Sequence, residues 1–416
     1  MSNKPSSYPL ASNPAPLHRF GGVLASTPEL AIHALGDVYA VEGTGTVRNL
    51  PASPKGPPIL LIFVGTPTFA HSLKLLMPGA QPYTFSPGDS CWVLPLGDGV
   101  WRVLTICLGS GNQLGAIWLP QGRLTPASGV AITISDQTAV PTIFYIAGQA
   151  PFSDGTNIIP NVSGELSINL DATSTHTGYH QAGKNFDVFK VNDGGTIRIG
   201  TGPAWASDNA RGTGAGTTEV QVLGNTGVWV NANPITLRWG NSAGNTSTIA
   251  ANCAVYLGSF RTTADGQTED SLAKRFVWNA YAQAQRETRR IETTASWNYS
   301  TATIRQANGN SANQIEFIFG LSGGQAEAEL QNTIQNSTAT IRNVTFAIAL
   351  DSTTTTPDGV AICSPSNAGF ASNSHKYRGM PGIGYHKLAA TETGAGSDTQ
   401  TWYGGDFFRL YGSIWG

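Results

Sequence analysis

Charged side chains are scarce in this sequence of 416 residues. Lysine and arginine total 24 and aspartate and glutamate total 26, so only 12% of the residues carry a charge and the net charge is −2. Soluble domains average about 25% charged residues. Binding to nucleic acid or to an anionic membrane surface needs a dense basic face. We therefore expect neither a nucleic-acid partner nor membrane insertion.

Long apolar runs and a secretory signal are also missing. The strongest apolar run, Ile59–Val64, is far shorter than the roughly 18 residues of a membrane span. The first residues, Met1–Pro9, lack a basic region followed by an apolar one. The sequence has four cysteines and no CxxC pair, which predicts free thiols and synthesis in a reducing cytoplasm. These cysteines are Cys91, Cys107, Cys253 and Cys363.

The sequence is rich in Thr, Ser, Asn, Gln and Gly instead. It contains 49 glycines and 24 prolines. Short apolar segments alternate with turns rich in Gly, Asn and Asp, which is typical of sandwiches and barrels. Cys91–Pro95 and Val100–Cys107 flank Gly-Asp-Gly and predict a hairpin, and Val130–Ser135 predicts another strand. The predicted fold class is all-β: several β-sandwich or barrel modules in series, with a C-terminal jelly-roll-like sandwich.

The composition divides the chain into five segments. We predict an N-terminal attachment segment at 1–50, a small β module at 51–123, a β-sandwich module at 124–263, a charged linker or short helix at 264–294, and a C-terminal β-sandwich at 295–416.

The segment 264–292 holds ten of the fifty charged residues of the chain. Its apolar residues fit a helical stripe in one part and a strand-like alternation in another, so both a short helix and an extended chain are open. A charged segment that joins two β modules is a candidate for contacts between chains of a homo-oligomer. A linker exposed to solvent is the simpler alternative. The candidate assembly contacts are Asp265, Glu269, Asp270, Lys274, Arg275, Arg289 and Arg290.

Several segments resemble structural proteins of tailed bacteriophages. The stretch Tyr256–Tyr281 (YLGSFRTTADGQTEDSLAKRFVWNAY) is similar to one that recurs in these proteins, and Arg123–Val130 with Thr133–Thr138 resembles the opening of the same module. Phe85–Gly111 is similar to a small β unit often placed before it, and the segments YHKLAA and WYGG near the C-terminus are similar to C-terminal sandwich ends. The likeness covers roughly residues 85–290 and, more weakly, the remainder.

This resemblance implies a protein of the virion, assembled in the host cytoplasm. Such proteins are commonly trimeric fibres, spikes or head appendages, so we expect a homotrimer whose N-terminus contacts other virion proteins. The leading hypothesis is a tail fibre or receptor-binding appendage that contacts a host surface glycan or protein. A head fibre or capsid decoration protein and a polysaccharide-degrading tail spike are the alternatives. The resemblance carries over no catalytic residue.

The sequence predicts neither a metal centre nor a cofactor. His176 and His180 are spaced as i and i+4, but Gly178 lies between them and argues against a metal-binding helix face, so we interpret both as loop histidines. Gly-Leu-Ser-Gly-Gly at 320–324 does not match the nucleophile motif Gly-x-Ser-x-Gly.

Carboxylate pairs and aromatic residues are the remaining candidates for chemistry. A glycosidase needs two carboxylates across the scissile bond, and Asp265 with Glu269 or Glu327 with Glu329 are possible pairs. Spacing alone does not identify a pair, so we predict a protein that is not an enzyme. Aromatic rings in polar, Gly-rich segments suit sugars, and the candidate glycan contacts, weighed against packing in the core, are Trp402, Tyr403, His375 and Tyr377.

Overall fold

The computed structural model describes residues 19–32, 36–52, 56–77, 82–107, 113–114, 119–146, 148, 150–159, 161–224, 226–356, 359–366 and 369–416. Half of the chain is β-strand, and no helix of seven residues or more occurs in the described residues, which confirms the predicted all-β class. The chain divides into two compact units, 1–117 and 118–416. The first 18 residues of the predicted attachment segment lie outside the described residues.

The described part of the first unit contains ten strands: β1 (Phe20–Ala25), β2 (Val38–Glu42), β3 (Thr46–Val47), β4 (Ile59–Phe63), β5 (Thr68–Phe69), β6 (Leu75–Leu76), β7 (Tyr83–Thr84), β8 (Ser90–Gly97), β9 (Val100–Cys107) and β10 (Gln113–Leu114).

One seven-stranded sheet dominates the first unit. Its order is β1-β2-β4-β8-β9-β10, with β6 beside β9. The pairs β1–β2 and β2–β4 are parallel, whereas β4–β8 and β8–β9 are antiparallel. A small sheet, β3-β5-β7, supplies Phe69 to the core, where Phe63 and Phe85 stack with their ring centroids 3.6 Å apart.

The predicted hairpin at 91–107 is confirmed. Ser90 pairs with Cys107 and Gly97 with Val100, so Asp98 and Gly99 form the turn. Both turn residues have positive φ, 53° and 70°, as a two-residue turn that follows the twist of its strands requires.

The described part of the second unit contains 27 strands: β11 (Arg123–Thr125), β12 (Gln137–Val140), β13 (Thr142–Ile146), β14 (Phe152–Ser153), β15 (Ile158–Ile159), β16 (Leu166–Asn169), β17 (Asn185–Asp193), β18 (Thr196–Thr201), β19 (Val220–Val222), β20 (Trp229–Asn231), β21 (Ile235–Arg238), β22 (Thr246–Ile249), β23 (Val255–Ala264), β24 (Gln267–Asp270), β25 (Lys274–Arg275), β26 (Val277–Asn279), β27 (Gln285–Arg290), β28 (Ser296–Asn298), β29 (Arg305–Gln306), β30 (Gln314–Phe319), β31 (Ala326–Asn336), β32 (Val344–Leu350), β33 (Ala361–Cys363), β34 (Ala371–Gly379), β35 (Gly384–Thr393), β36 (Gln400–Tyr403) and β37 (Arg409–Trp415).

A long sheet with the path β22-β21-β18-β17-β23-β24-β25-β30-β35-β32-β33 runs through this unit. A six-stranded sheet, β27-β37-β31-β36-β28 with β34 beside β31, is the second large sheet. Leu330 and Leu410 of the six-stranded sheet share one buried apolar core with Phe317, Ile348 and Leu388 of the long sheet. The C-terminal part is therefore a sandwich of two sheets, and the side of the six-stranded sheet turned away from this core carries its charged residues on β31.

The charged segment 264–294 is extended, and the helical alternative is wrong. Asp270 ends β24, Lys274 begins β25, and the peptide N–H of Lys274 donates to the carbonyl of Ser271 at 3.2 Å, which makes a tight turn between the strands. The six residues of β27 pair with β37 along their whole length. The segment lies inside the second unit because its alternating side chains fit the two sides of a sheet.

The strand predicted at Val130–Ser135 is wrong, because arginine side chains occupy its carbonyls. Arg123 Nε donates to the carbonyl of Ala131 at 3.0 Å, and Arg286 Nη2 donates to that of Thr133 at 3.2 Å. No ladder partner is paired with 130–135, and Val130, Ile132 and Ile134 are exposed.

No helix among the described residues is long and apolar enough to cross a membrane. All four cysteines are free thiols, as predicted.

Candidate functional site

The outer face of the six-stranded sheet is polar along the whole of β31. Successive side chains of a strand point to opposite sides of the sheet. Ala326, Ala328, Leu330 and Ile334 therefore face the core. The outward positions are Glu327, Glu329, Gln331, Thr333 and Gln335.

Strand register brings two rows of functional side chains together at the start of β31. The first row crosses the sheet as Glu287, Ser413, Glu327 and Arg378, and the second as Arg289, Tyr411, Glu329 and Lys376. The rows border a groove of 690 Å³, lined by Gln285, Glu287, Glu327, Ala328, Glu329, Lys376, Tyr377, Arg378, Tyr411, Gly412 and Ser413.

Hydrogen bonds fix the floor of the groove. Ser413 Oγ donates to Glu327 at 3.0 Å and accepts from Gln285 Nε2 at 2.9 Å. A hydrogen bond from Ser374, with further help from Tyr411 and Lys376, holds the pKa of Glu329 below its usual range. Partial burial and then the Glu329 carboxylate raise the pKa of Tyr411. The floor thus offers fixed acceptors beside hydroxyl and cationic donors.

Two aromatic rings stand beside this polar floor. Tyr411 and Trp415 alternate with Ser413 along β37 and are 40% and 45% exposed. Exposed rings supply apolar faces, and carboxylates with hydroxyls supply directed hydrogen bonds, a combination that suits a sugar.

Glu327 and Glu329 form the carboxylate pair in this groove that the sequence suggested. Their backbone positions are about 7 Å apart along the strand. Inverting glycoside hydrolysis uses two carboxyl groups about 6.5–9.5 Å apart, which side chains at this spacing are able to reach. Such chemistry needs one carboxyl group with a raised pKa as the general acid. The hydrogen bonds to Glu329 shift its pKa downwards instead. Glu329 therefore lacks the raised pKa of a general acid.

Of the four predicted glycan contacts, some side chains point into the core of the sandwich and others border its outer face. Trp402 is fully buried and its indole N–H donates to the carbonyl of Tyr299 at 3.0 Å, so this prediction is wrong. The prediction of a glycan contact is also wrong for His375, because its Nδ1 accepts a hydrogen bond from the peptide N–H of Ile348 at 3.2 Å inside the sandwich. Tyr377 is mostly buried but borders the groove.

Tyr403 lies on the outer face, within an exposed aromatic patch. Its ring contacts Phe370 at 5.1 Å and Phe407 at 6.1 Å between centroids, and we call these three residues the aromatic patch. The Tyr403 hydroxyl donates to Gln335 Oε1 at 2.7 Å, which fixes the ring against β31.

Two of the predicted assembly contacts are buried inside the chain, so the prediction is wrong for Asp270 and Arg275. Asp270 is fully buried between Arg275 Nη1 at 3.2 Å and Arg286 Nη2 at 2.9 Å. Thr133 adds a hydroxyl hydrogen bond to the same carboxylate at 3.2 Å. These contacts join the segment around 133 to β24, β25 and β27 and stabilise the fold.

The other five assembly candidates lie nearer the surface. Glu269 pairs with Lys274 at 3.2 Å, and Asp265 accepts from the peptide N–H of Ala182 at 2.7 Å in an exposed turn. Arg289 belongs to the second row of the outer face, whereas Arg290 is half-buried.

His176 and His180 both contact Asp171, one through its buried carboxylate and the other through its peptide N–H. His176 Nδ1 lies 2.8 Å from Asp171, and His180 Nδ1 accepts from the peptide N–H of Asp171 at 2.8 Å. Burial, followed by the nearby Arg238 charge, lowers the pKa of His180 to about 3. Across the described residues, no group of three His, Cys, Asp or Glu side chains is placed to hold a metal ion.

Sequence reasoning missed most of the groove. Its residues come from β27, β31, β34 and β37, and the pairing of β31 with β34 and β37, together with that of β37 with β27, brings them side by side. The available signal was the alternation in Arg409–Trp415, where Tyr411, Ser413 and Trp415 share one face.

No protein-family model and no curated protein matches the sequence. Among solved structures, a Bacillus thuringiensis Cry1Da tryptic core variant is similar over 66% of this chain, with 9% identity and a TM-score of 0.17, and this chain spans 48% of that toxin core. An exo-beta-1,3-galactanase from Phanerochaete chrysosporium is similar over 79% of this chain and 94% of its own, with 11% identity and a TM-score of 0.14. An infectious bursal disease virus structure (Gx strain) is similar over 88% of this chain and 68% of its own, with 11% identity and a TM-score of 0.18. Scores this low carry no argument about function.

Proposed function

We propose that this chain is a non-enzymatic binding protein that attaches to a surface glycan through the groove of its C-terminal sheet. The observation that carries the proposal is the groove itself, in which Tyr411 stands beside the fixed polar side chains of Glu327, Glu329 and Ser413. A pyranose stacks on a ring and exchanges hydrogen bonds through its hydroxyl groups, and this floor provides both kinds of contact.

The setting we propose for this activity is the virion of a tailed bacteriophage. In this proposal the protein is a homotrimeric tail fibre or receptor-binding appendage, assembled in the host cytoplasm and attached through its N-terminal segment to other virion proteins. The support is the resemblance of Tyr256–Tyr281, and of Arg123–Val130 with Thr133–Thr138, to modules of such proteins. A neutral surface with few lysines also agrees with adhesion that does not depend on bulk charge.

Binding of the purified protein to a glycan array tests the glycan part of the proposal. Tyr411→Ala should weaken binding about fivefold, since a lost stacking face is worth about 1 kcal/mol. Tyr411→Phe keeps the ring and serves as the matched control. Equal binding by wild type and Tyr411→Ala would remove the groove from the proposal.

Three further measurements separate the alternatives. Electron microscopy of labelled virions distinguishes a tail fibre from a head fibre or decoration protein. Release of reducing ends from host polysaccharide, abolished by Glu327→Gln, would support the tail spike that degrades polysaccharide. Native mass spectrometry tests the trimer, which a stable monomer would contradict.

A further inference from the structure

Two of the three rings in the aromatic patch, Phe370 and Phe407, are largely exposed beside the six-stranded sheet. Phe370 is 61% exposed and Phe407 is 49% exposed, and their rings lie nearly parallel at 11° with centroids 6.3 Å apart. Tyr403 meets both rings edge-on. Large apolar side chains left in water in this way commonly mark a binding surface.

The patch and the groove lie on the same face of the sheet. Tyr403 pairs with Thr333, and the Thr333 hydroxyl lies 2.8 Å from that of Ser372 on the other neighbouring strand. Thr333 and Glu329 are both outward residues of β31, four residues apart. At about 3.3 Å per residue, the two positions are separated by about 13 Å along the strand, too far for one sugar to reach both.

A polar strip connects the two positions. The row between them is Arg409, Gln331 and Ser374. Arg409 carries an ion pair with Asp406 at 2.9 Å, so a guanidinium, an amide and a hydroxyl occupy this part of the face. Rings at both ends with hydrogen-bonding groups between them match a chain of sugars better than they match the apolar side of a protein helix.

The charges of this face balance. Four acidic side chains, Glu287, Glu327, Glu329 and Asp406, accompany four basic ones, Arg289, Lys376, Arg378 and Arg409. A polyanion would gain no net attraction from such a surface, so the class of ligand that it suits is a neutral polymer.

We propose that the aromatic patch is a second sugar-binding position and that the ligand is a neutral, linear oligosaccharide extended along β31 from the groove. This inference rests on the proposed function. It adds the length and the charge class of the ligand, and a role for Phe370 and Phe407 that the sequence did not suggest.

Calorimetric titration with oligosaccharides of two, four, six and eight sugars, in neutral hexose, N-acetylhexosamine and uronic-acid series, tests this inference. Affinity for the neutral series should rise at least tenfold between two and eight sugars. The double variant Phe370→Ala/Phe407→Ala should remove this gain and leave the affinity for the disaccharide unchanged. Phe20→Ala replaces a ring that is equally exposed, at 62%, in the first unit and should change neither value.

The outcomes separate the two proposals. Failure of the wild-type chain to bind any oligosaccharide overturns the proposed function. Binding with the same gain in the double variant, or a preference for the uronic-acid series, overturns the inference and leaves the groove in place. Both replaced rings are exposed, and equal melting temperatures of variant and wild type verify that a lost gain does not come from unfolding.

Discussion

Replacement of Asp187 by alanine should destabilise the second unit by about 3–5 kcal/mol, the usual cost of removing one partner of a buried ion pair. Asp187 lies in β17, is fully buried, and accepts two hydrogen bonds from Arg211, at 2.6 Å from Nε and 2.9 Å from Nη2. The hydroxyls of Thr218 and Ser259 donate to the same carboxylate at 2.8 and 2.7 Å. Alanine would leave a buried guanidinium without a counter-charge and would remove the acceptor of the Thr218 and Ser259 hydroxyls, of which Ser259 keeps only its contact with the Tyr256 hydroxyl at 2.6 Å.

Asp193, six residues along the same strand, provides the matched control. Its carboxylate pairs with Arg198 at 3.2 Å, but the two side chains are 28% and 32% exposed. An ion pair that remains in contact with water contributes at most about 1 kcal/mol. Asp193→Ala should therefore cost much less than Asp187→Ala, although both variants remove an aspartate that faces an arginine.

Urea unfolding followed by tryptophan fluorescence measures the difference. Trp205 is a local reporter, because the Arg211 guanidinium stacks on its ring at 4.4 Å. The melting temperature should fall by about 10 °C for Asp187→Ala. The double variant Asp187→Ala/Arg211→Met should recover part of the loss, since it removes the unpaired charge. Equal losses in the two aspartate variants would refute the reasoning.

Two further predictions concern pH and the first unit. Burial raises the pKa of Glu392 to about 7, although Trp297 and Arg305 each donate a hydrogen bond to its carboxyl group at 2.8 Å. Between pH 4.3 and 7 the folded chain therefore holds a proton at Glu392 that the unfolded chain, with an ordinary pKa near 4.3, has released. The free energy of unfolding should therefore fall by up to about 3 kcal/mol as pH rises from 4.3 to 7. Urea titrations at several pH values measure this fall, and the Glu392→Gln variant should not show it. Gly99→Ala should destabilise the β8–β9 hairpin by about 1 kcal/mol, because a φ of 70° is costly for a residue with a Cβ. Thermal unfolding measures this loss, and Asp98→Ala, at the neighbouring turn position, is the comparison in the same assay.

Local sequence patterns predicted the structure correctly where residues close together in the chain decide it. The hairpin at 91–107 follows from two alternating segments and a turn whose residues accept positive φ. The same kind of pattern failed at Val130–Ser135, because Arg123 and Arg286 take the carbonyls that a partner strand would need. Arg286 lies 153 residues from Thr133 in the sequence, so no local signal shows that its side chain will bind there.

The sequence by itself determined that this protein is an all-β chain, because period-two alternation and turn residues act within a few residues. Only the tertiary structure decided which neighbouring aromatic residues face water: Trp402 is buried and Tyr403 is on the outer face, since the register of β36 against β31 sets the side of each. The same holds for the charged segment, where the burial of Asp270 depends on Arg286, which approaches from another strand. The groove exists for this reason as well, because strands distant in sequence place Glu287, Glu327 and Tyr411 side by side.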